Sequence, residues 1–150
     1  MISLNTFSSC KKFLNVSMVC DKCCVLSTIL KIQQIKINTI SNELSQVIIN
    51  IVNNAKDAIA ERKIQNAWVK IKVTRDDKEA CITIEDNAGG IPEDIISRIF
   101  EPYFSTKTKK NGTGLGLYMS KMIVEQHSLG LLCVKNNNEG ALFRIELPIN

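Results

Sequence analysis

Among 150 residues there are one histidine, three prolines, seven glycines and only 5% aromatic side chains. So little Gly and Pro excludes collagen-like and Pro-rich disordered chains. No stretch reaches the roughly 18 consecutive apolar residues that a spanning helix needs, so no membrane segment is expected in this chain. The start also lacks the charged-then-apolar layout of a signal peptide, because Asp21 and Lys22 interrupt its apolar residues. Surplus charge is scarce as well. Lys and Arg exceed Asp and Glu by 19 to 15. Residues 1–40 hold five bases and one acid, which leaves 14 against 14 from Ser41 onward. A folded part with no net positive charge matches a phosphate backbone poorly, so nucleic acid is not an expected partner. The length and the 45% hydrophobic content fit one globular domain.

Cysteine is the residue in good supply. Cys10, Cys20, Cys23 and Cys24 crowd the start, with Cys81 and Cys133 further on. The Cys20-x-x-Cys23 pair has no second pair at finger-like spacing and His127 is the only histidine, so zinc is poorly supported. Reduced thiols in the cytoplasm are the simpler expectation.

Residues 1–30 give neither clean periodicity nor caps; Phe13, Leu14, Val16, Val19, Val25 and Leu26 fit one helical face as well as none. Ile32, Ile35 and Ile37 predict a short strand ending near Asn38. A strong helix follows, with Ser41 as N-cap, Glu43 in its first turn, and Leu44, Val47, Ile48, Ile51, Val52, Ala55 and Ile59 inward, through to about Lys63. At about 100° per residue, Asn50, Asn54 and Asp57 share a polar stripe beside that face. Val69, Ile71 and Val73 alternate with polar residues, as do Ala80, Ile82 and Ile84 beyond the turn Arg75–Lys78, which predicts a hairpin.

The second strand runs into Asp86-Asn87-Ala88-Gly89-Gly90-Ile91-Pro92, with Pro92 opening a helix over Glu93 to Ile99. The segment from Phe100 to Gly114 has turn and basic residues and no period. A helix resumes at Leu115, with Leu117, Met119, Met122 and Ile123 inward, until about Gly130. Leu131–Lys135, the turn Asn136–Gly140 and Ala141–Leu147 form a last hairpin.

Three constellations together describe a nucleotide pocket: Asn50 and Asn54 on a helix, Asp86 to Gly90 in a turn, and Gly112-Thr113-Gly114-Leu115-Gly116-Leu117 opening a helix. Glycines before a helix let backbone N–H groups approach phosphates. The glycine segment is neither a P-loop, since no Gly-Lys-Ser/Thr follows, nor the dinucleotide fingerprint. Two roles fit Asn54: an oxygen ligand for phosphate-bound magnesium, or a helix amide bonded to nearby backbone. Asp86 is either the acceptor for the exocyclic amine of adenine, where guanine presents a carbonyl, or a solvated turn residue. Lys107, Lys109 and Lys110 are a lid closing on polyphosphate or a solvated basic loop. Phe100, Tyr103 and Phe104 are expected to anchor that loop to the core. His127, without an acidic neighbour in sequence, is expected on the surface.

The ordered set resembles the ATP-binding domain of sensor histidine kinases, in the GHKL superfamily. Asn42 to Ile59 looks like its N box, Asp86 to Ile91 its G1 box, Ile99 to Lys107 its F box and Gly112 to Leu117 its G2 box. The likeness runs from about Ile37 to Pro148, so residues 37–150 are expected to be the domain and residues 1–36 stay unassigned. It implies a two-layer α/β sandwich of the Bergerat type, a mixed sheet with helices on one face, binding Mg-ATP between the N-box helix and a lid. It further implies that Asn54 coordinates Mg2+ and Asp86 binds adenine, while Gly90 keeps space near the base. Gly112, Gly114 and Gly116 shape the lid, and Lys107 sits near it. With Asp57, Ile91, Thr113 and Leu115 these make up the expected nucleotide site, Asn50 and Asn54 being its catalytic candidates.

Two departures stand out. Ala88 occupies a usual glycine position, harmless unless its φ must be positive, which would cost about 1–2 kcal/mol. No histidine precedes the N box, so the phosphoacceptor is expected elsewhere: on a histidine-bearing dimerisation domain in trans or missing from this chain. Residues 1–30 also do not look like the family's first helix and strand, so a truncated or damaged kinase gene is one expectation. Hydrolytic relatives carry a glutamate where Asn50 stands, and an amide cannot serve as a base. The expected function is therefore transfer of the ATP γ-phosphoryl to a histidine and onward to a response regulator receiver domain. The alternative is a truncated or regulatory ATP-binding module without kinase turnover.

Overall fold

The computed structural model describes residues 24–29, 41–106 and 113–149. Strand β1 (Cys24–Ile29) leads to helix α1 (Ser41–Glu61), then the hairpin β2 (Ala67–Arg75) and β3 (Glu79–Asp86). One helical turn α2 (Glu93–Ile96) and helix α3 (Gly116–Met122) follow, α3 running on as a π-helical turn over Ile123–His127. Strands β4 (Leu131–Asn136) and β5 (Ala141–Pro148) close the chain. The strand expected over Ile32–Asn38 lies outside the described residues.

Among the described residues the sheet has five strands in the order β1-β2-β3-β5-β4. Strand β1 is parallel to β2, with α1 between them in the chain, and the other pairings are antiparallel. The mixed sheet and its helices are the expected α/β sandwich. Strand β1 comes from the stretch left unassigned, where Val25 and Leu26 fitted a helical face as well; six residues without alternation carry no strand signal of their own.

Alternation sets which side chains face the helices. Val69, Ile71 and Val73 of β2, Ala80, Ile82 and Ile84 of β3, and Phe143, Ile145 and Leu147 of β5 are all buried. Against them lie Leu44, Val47, Ile48, Ile51, Val52, Ala55 and Ile59 of α1, the seven residues its periodicity selects. Each Val, Leu, Ile or Phe among them stabilises the fold by about 1.5–3 kcal/mol when fully buried.

Helix α1 ends in a hydrogen-bonded reversal. Lys63 takes φ 53°, Ile64 N–H donates to Ile59 O at 3.1 Å and Lys63 N–H to Ala60 O at 3.3 Å. This pairing satisfies carbonyls the helix would otherwise orphan, while Ile64 packs on the core. It places Arg62, the first residue after α1, facing the neighbouring turn.

Three expectations change in detail. The helix expected over Glu93–Ile99 is a single turn followed by a bend, and Ile99 is buried beneath it. The helix expected from Leu115 to about Gly130 is α at first and π later, and it stops at His127. Met119, expected inward, is 48% exposed. Met119 and Ser120 are neighbours on α3, and it is Ser120 that takes the fully buried position, donating to Gly116 O at 2.9 Å.

Candidate functional site

Parity along β3 decides the site's central feature. Ala80, Ile82 and Ile84 point toward the helix layer, so Asp86, two residues on, points there too and is only 5% exposed. A carboxylate so placed needs donors. Oδ1 accepts from Ala88 N–H at 2.9 Å and from Ala141 N–H at 3.3 Å. Neither bond uses Oδ2.

The carboxylate lies on the wall of a cavity of about 340 Å³ between α1, the Asp86–Pro92 turn and the start of α3. That volume lies within the range of small-molecule sites. Of the expected site residues, Asn54, Asp86, Gly90, Ile91, Thr113, Gly114 and Gly116 line it together. Ala55, Ala58, Ile99 and Phe143 give it an apolar interior. Lys107 and Gly112 lie outside the described residues, as do Lys109 and Lys110.

Three expected residues stand off the cavity wall. Asp57 is exposed on α1. Leu115 precedes α3, its N–H donating to Thr113 Oγ1 at 3.4 Å. Asn50 instead links two helices: Nδ2 donates to Ser120 Oγ at 3.3 Å and to Gly116 O at 3.4 Å. Its Oδ1 accepts from Gln46 Nε2 at 3.0 Å.

Ala88 takes no positive φ; the left-handed residues of the turn are Gly89 at 84° and Gly90 at 75°. The methyl group is therefore buried without backbone strain. Gly114, at φ 68°, could not carry a side chain either, since a Cβ would fall 2.5 Å from the Tyr103 carbonyl carbon. That close approach brings Ser105 and Thr106 to the same rim as Thr113.

The aromatic anchor is two residues, not three. Phe100 meets Phe143 edge to face at 6.5 Å between centroids, and Phe104 packs on the core and lines the cavity. Tyr103 is 77% exposed, turned outward by its φ of 64°. His127 is on the surface as expected, but it has an acidic partner from across the fold, Glu43 Oε2 at 3.1 Å from Nδ1.

Arg62, Asn136 and Gly140 were not picked out by the sequence, and all three touch the Asp86–Ile91 turn. Arg62 lines the cavity, and its Nη1 donates to Ala88 O and, at 2.8 Å, to Gly90 O. Asn136 pairs with both backbone groups of Ile91. Only the turn composition around Asn136–Gly140 gave a local signal, and it reads as an ordinary hairpin connection.

A second concavity, about 610 Å³, lies among strand side chains that include Cys81, Thr83, Cys133 and Arg144. Cys81 and Thr83 alternate with the inward residues of β3, which puts this hollow on the outer face of the sheet. None of the three constellations borders it.

The profile of the histidine kinase-, DNA gyrase B- and HSP90-like ATPases matches residues 39–150. The chain belongs to that family. Among curated proteins it is similar to the two-component sensor PprA of Pseudomonas aeruginosa, 39% identical over 116 residues, covering 73% of this chain and 12% of PprA. Sporulation kinase A of Bacillus subtilis is 38% identical over 115 residues, covering 76% of this chain and 18% of the kinase. The chain thus spans under a fifth of the length of these relatives. The nucleotide-free catalytic domain of histidine kinase ThkA superposes with a TM-score of 0.75 at 23% identity, covering 97% of this chain and 92% of that domain. ThkA in complex with the response regulator protein TrrA gives a TM-score of 0.72 at 22% identity, covering 99% of this chain and 41% of that one. The fold is that of a histidine kinase catalytic domain.

Proposed function

We propose that this ATPase-family domain is the catalytic domain of a cytoplasmic sensor histidine kinase, holding Mg-ATP in the cavity and delivering the γ-phosphoryl to a histidine outside these residues. The observation that carries the reading is Asp86: a carboxylate held from behind by two backbone N–H groups, on the wall of an apolar cavity with Asn54 and three glycines. Oδ2 accepts the exocyclic amine of adenine, an interaction worth roughly 1.5–3 kcal/mol when the acceptor is ionised. Ala58 and Ile91 line the same cavity and would flank the base, and Gly114 and Gly116 would leave room for phosphates near Thr113.

The donor set suits magnesium. Among the described residues no three His, Cys, Asp or Glu side chains gather as a metal cluster, and a phosphate-bound Mg2+ needs only one or two protein oxygens beside phosphate and water. The side-chain oxygen of Asn54 supplies one. When bound, the ion neutralises charge on the β- and γ-phosphates.

In the transfer itself, the lone pair of an imidazole nitrogen forms the N–P bond as the bond from γ-phosphorus to the bridging oxygen breaks. ADP leaves and the remaining imidazole proton goes to solvent. Asn50, tied between α1 and α3, supplies no base for water. Ordered transfer is then favoured over hydrolysis, with the phosphoryl passing next to a response regulator receiver domain. The chain's own histidine, His127, lies at the far end of the π turn beside Glu43, so the acceptor belongs to another domain or chain.

Calorimetric titration with ATP tests the pocket. Asp86→Asn should weaken ATP binding, and Asn54→Ala should remove most of the affinity gained on adding Mg2+. Equal affinities in all three chains would refute both roles. Mixing the protein with a separate histidine-bearing helical dimer and γ-labelled ATP tests the transfer. ATP binding without phosphohistidine would leave a binding module in place of a kinase.

A further inference from the structure

The purine-side turn is braced by a side chain from another element. Arg62, at the end of α1, places Nη1 on the carbonyls of both Ala88 and Gly90. The approach is close: a Cβ on Gly89 would fall 2.9 Å from that nitrogen. On the far side Asn136 accepts from Ile91 N–H at 2.8 Å and donates to Ile91 O at 2.7 Å. Gly89 N–H donates to Glu139 O at 2.9 Å. Between these ties lie two left-handed glycines, residues with the most conformational freedom to lose.

The turn matters because Ala88 N–H is one of the two donors on Asp86 Oδ1. If Ala88 moves, the carboxylate keeps only the longer of its two contacts, that from Ala141 N–H at 3.3 Å. The two carbonyls matter for a second reason. Adenine offers an amine beside a ring acceptor, whereas guanine offers two donors beside a carbonyl. Open backbone carbonyls near Asp86 would welcome guanine's donors, and a guanidinium on both takes up one lone pair of each and sets a positive charge against further donors.

We propose that Arg62 is a positioning residue for purine selection, fixing the Ala88–Gly90 carbonyls so that Asp86 alone reads the base. This rests on the ATP reading of the cavity. Arg62→Ala lowers ATP affinity by roughly tenfold, the worth of one charge-assisted hydrogen bond, and lowers GTP affinity less, so the ATP:GTP ratio narrows. Arg62→Lys restores most of the ratio, because a single donor nitrogen serves both carbonyls, while Arg62→Met, which keeps only an apolar stem, does not. A merely structural loss would weaken both nucleotides equally and leave the ratio alone.

The experiment compares ATP and GTP titrations of the parent, Arg62→Ala, Arg62→Lys and Arg62→Met chains with amide hydrogen exchange on the same nucleotide-free proteins. Faster exchange at Gly89 and Ile91 in Arg62→Ala, together with a narrowed ratio, is the expected result. A parent that binds ATP while Arg62→Ala keeps either the parent ratio or the parent exchange rates overturns the proposal. A parent that binds neither nucleotide sinks the ATP reading and the selection role with it, an outcome plainly different from failure of the brace.

Discussion

Gly140 meets Asp86 backbone to backbone: a Cβ at Gly140 would lie 2.1 Å from the Asp86 carbonyl oxygen and 2.6 Å from its Oδ1. This approach brings the N–H of Ala141, the next residue, onto the carboxylate. Gly140 has no left-handed φ, so what the position demands is absence of volume. Gly140→Ala must displace β5 from β3 or push Asp86 aside. The expected loss is about 1–3 kcal/mol of stability, as for other overpacked interiors, with weaker ATP binding in the fraction that stays folded. Urea unfolding and ATP calorimetry measure the two effects, and a variant equal to the parent in both would contradict the contact.

Residues whose role follows from local pattern were legible in the sequence. All seven inward residues of α1, both antiparallel hairpins and the inward parity that ends at Asp86 follow from periods of 3.6 and 2. What escaped depends on contacts far apart in the chain. Strand β1 is recognisable through its pairing with β2, and Glu43 reaches His127 across 84 positions. Arg62 and Asn136 sit 26 and 45 residues from the turn they hold. A helix-terminal arginine or a turn asparagine reads as solvated until the fold supplies its partner. Tyr103 misled for a different reason: aromatic residues in a loop imply an anchor, but its left-handed backbone directs it to solvent.

Asn50 offers a test of its place between helices. Its amide donates toward Ser120 Oγ and Gly116 O, and Ser120 Oγ itself already donates to Gly116 O. Asn50→Asp turns the donor into a charged acceptor facing a carbonyl. Asn50→Ala removes the amide and leaves Ser120 with its Gly116 partner. Thermal or urea unfolding should therefore rank the parent above Asn50→Ala and Asn50→Ala above Asn50→Asp, with the aspartate costing about 1–3 kcal/mol. Equal stability of the two variants would show that the amide donates nothing there.

Cys133 carries a pH dependence on the outer face of the sheet. Burial pushes its thiol above the ordinary cysteine range, the charge of Glu146 adds to this, and Arg144 partly opposes it. The native chain therefore keeps the thiol proton at alkaline pH where the unfolded chain has released it. Cys133's contribution to stability is complete below the unfolded value of about 8.5 and is lost as pH rises through the higher native value. Cys133→Ser should flatten the alkaline fall in urea stability. Iodoacetamide should alkylate Cys133 more slowly in the native protein than in urea at the same pH; equal rates would remove the argument.

Leu129 holds φ 52° while 79% exposed. It follows the π turn, where Ser128 N–H donates to Ile123 O and Gly130 N–H to Val124 O, so one residue must reverse the chain. A left-handed conformation costs a residue with a Cβ about 1–2 kcal/mol, and an exposed leucine recovers little by burial. Leu129→Gly relieves that strain but adds freedom to the unfolded chain, for a net gain of about 0.5–1 kcal/mol. For a chain of this size that raises Tm by roughly 1–4 °C. The adjacent glycine behaves in the opposite way, because a Cβ on Gly130 would fall 2.2 Å from Glu146 O. Gly130→Ala should lower Tm where Leu129→Gly raises it. A fall in both would show that Leu129 gains from a contact more than its backbone loses.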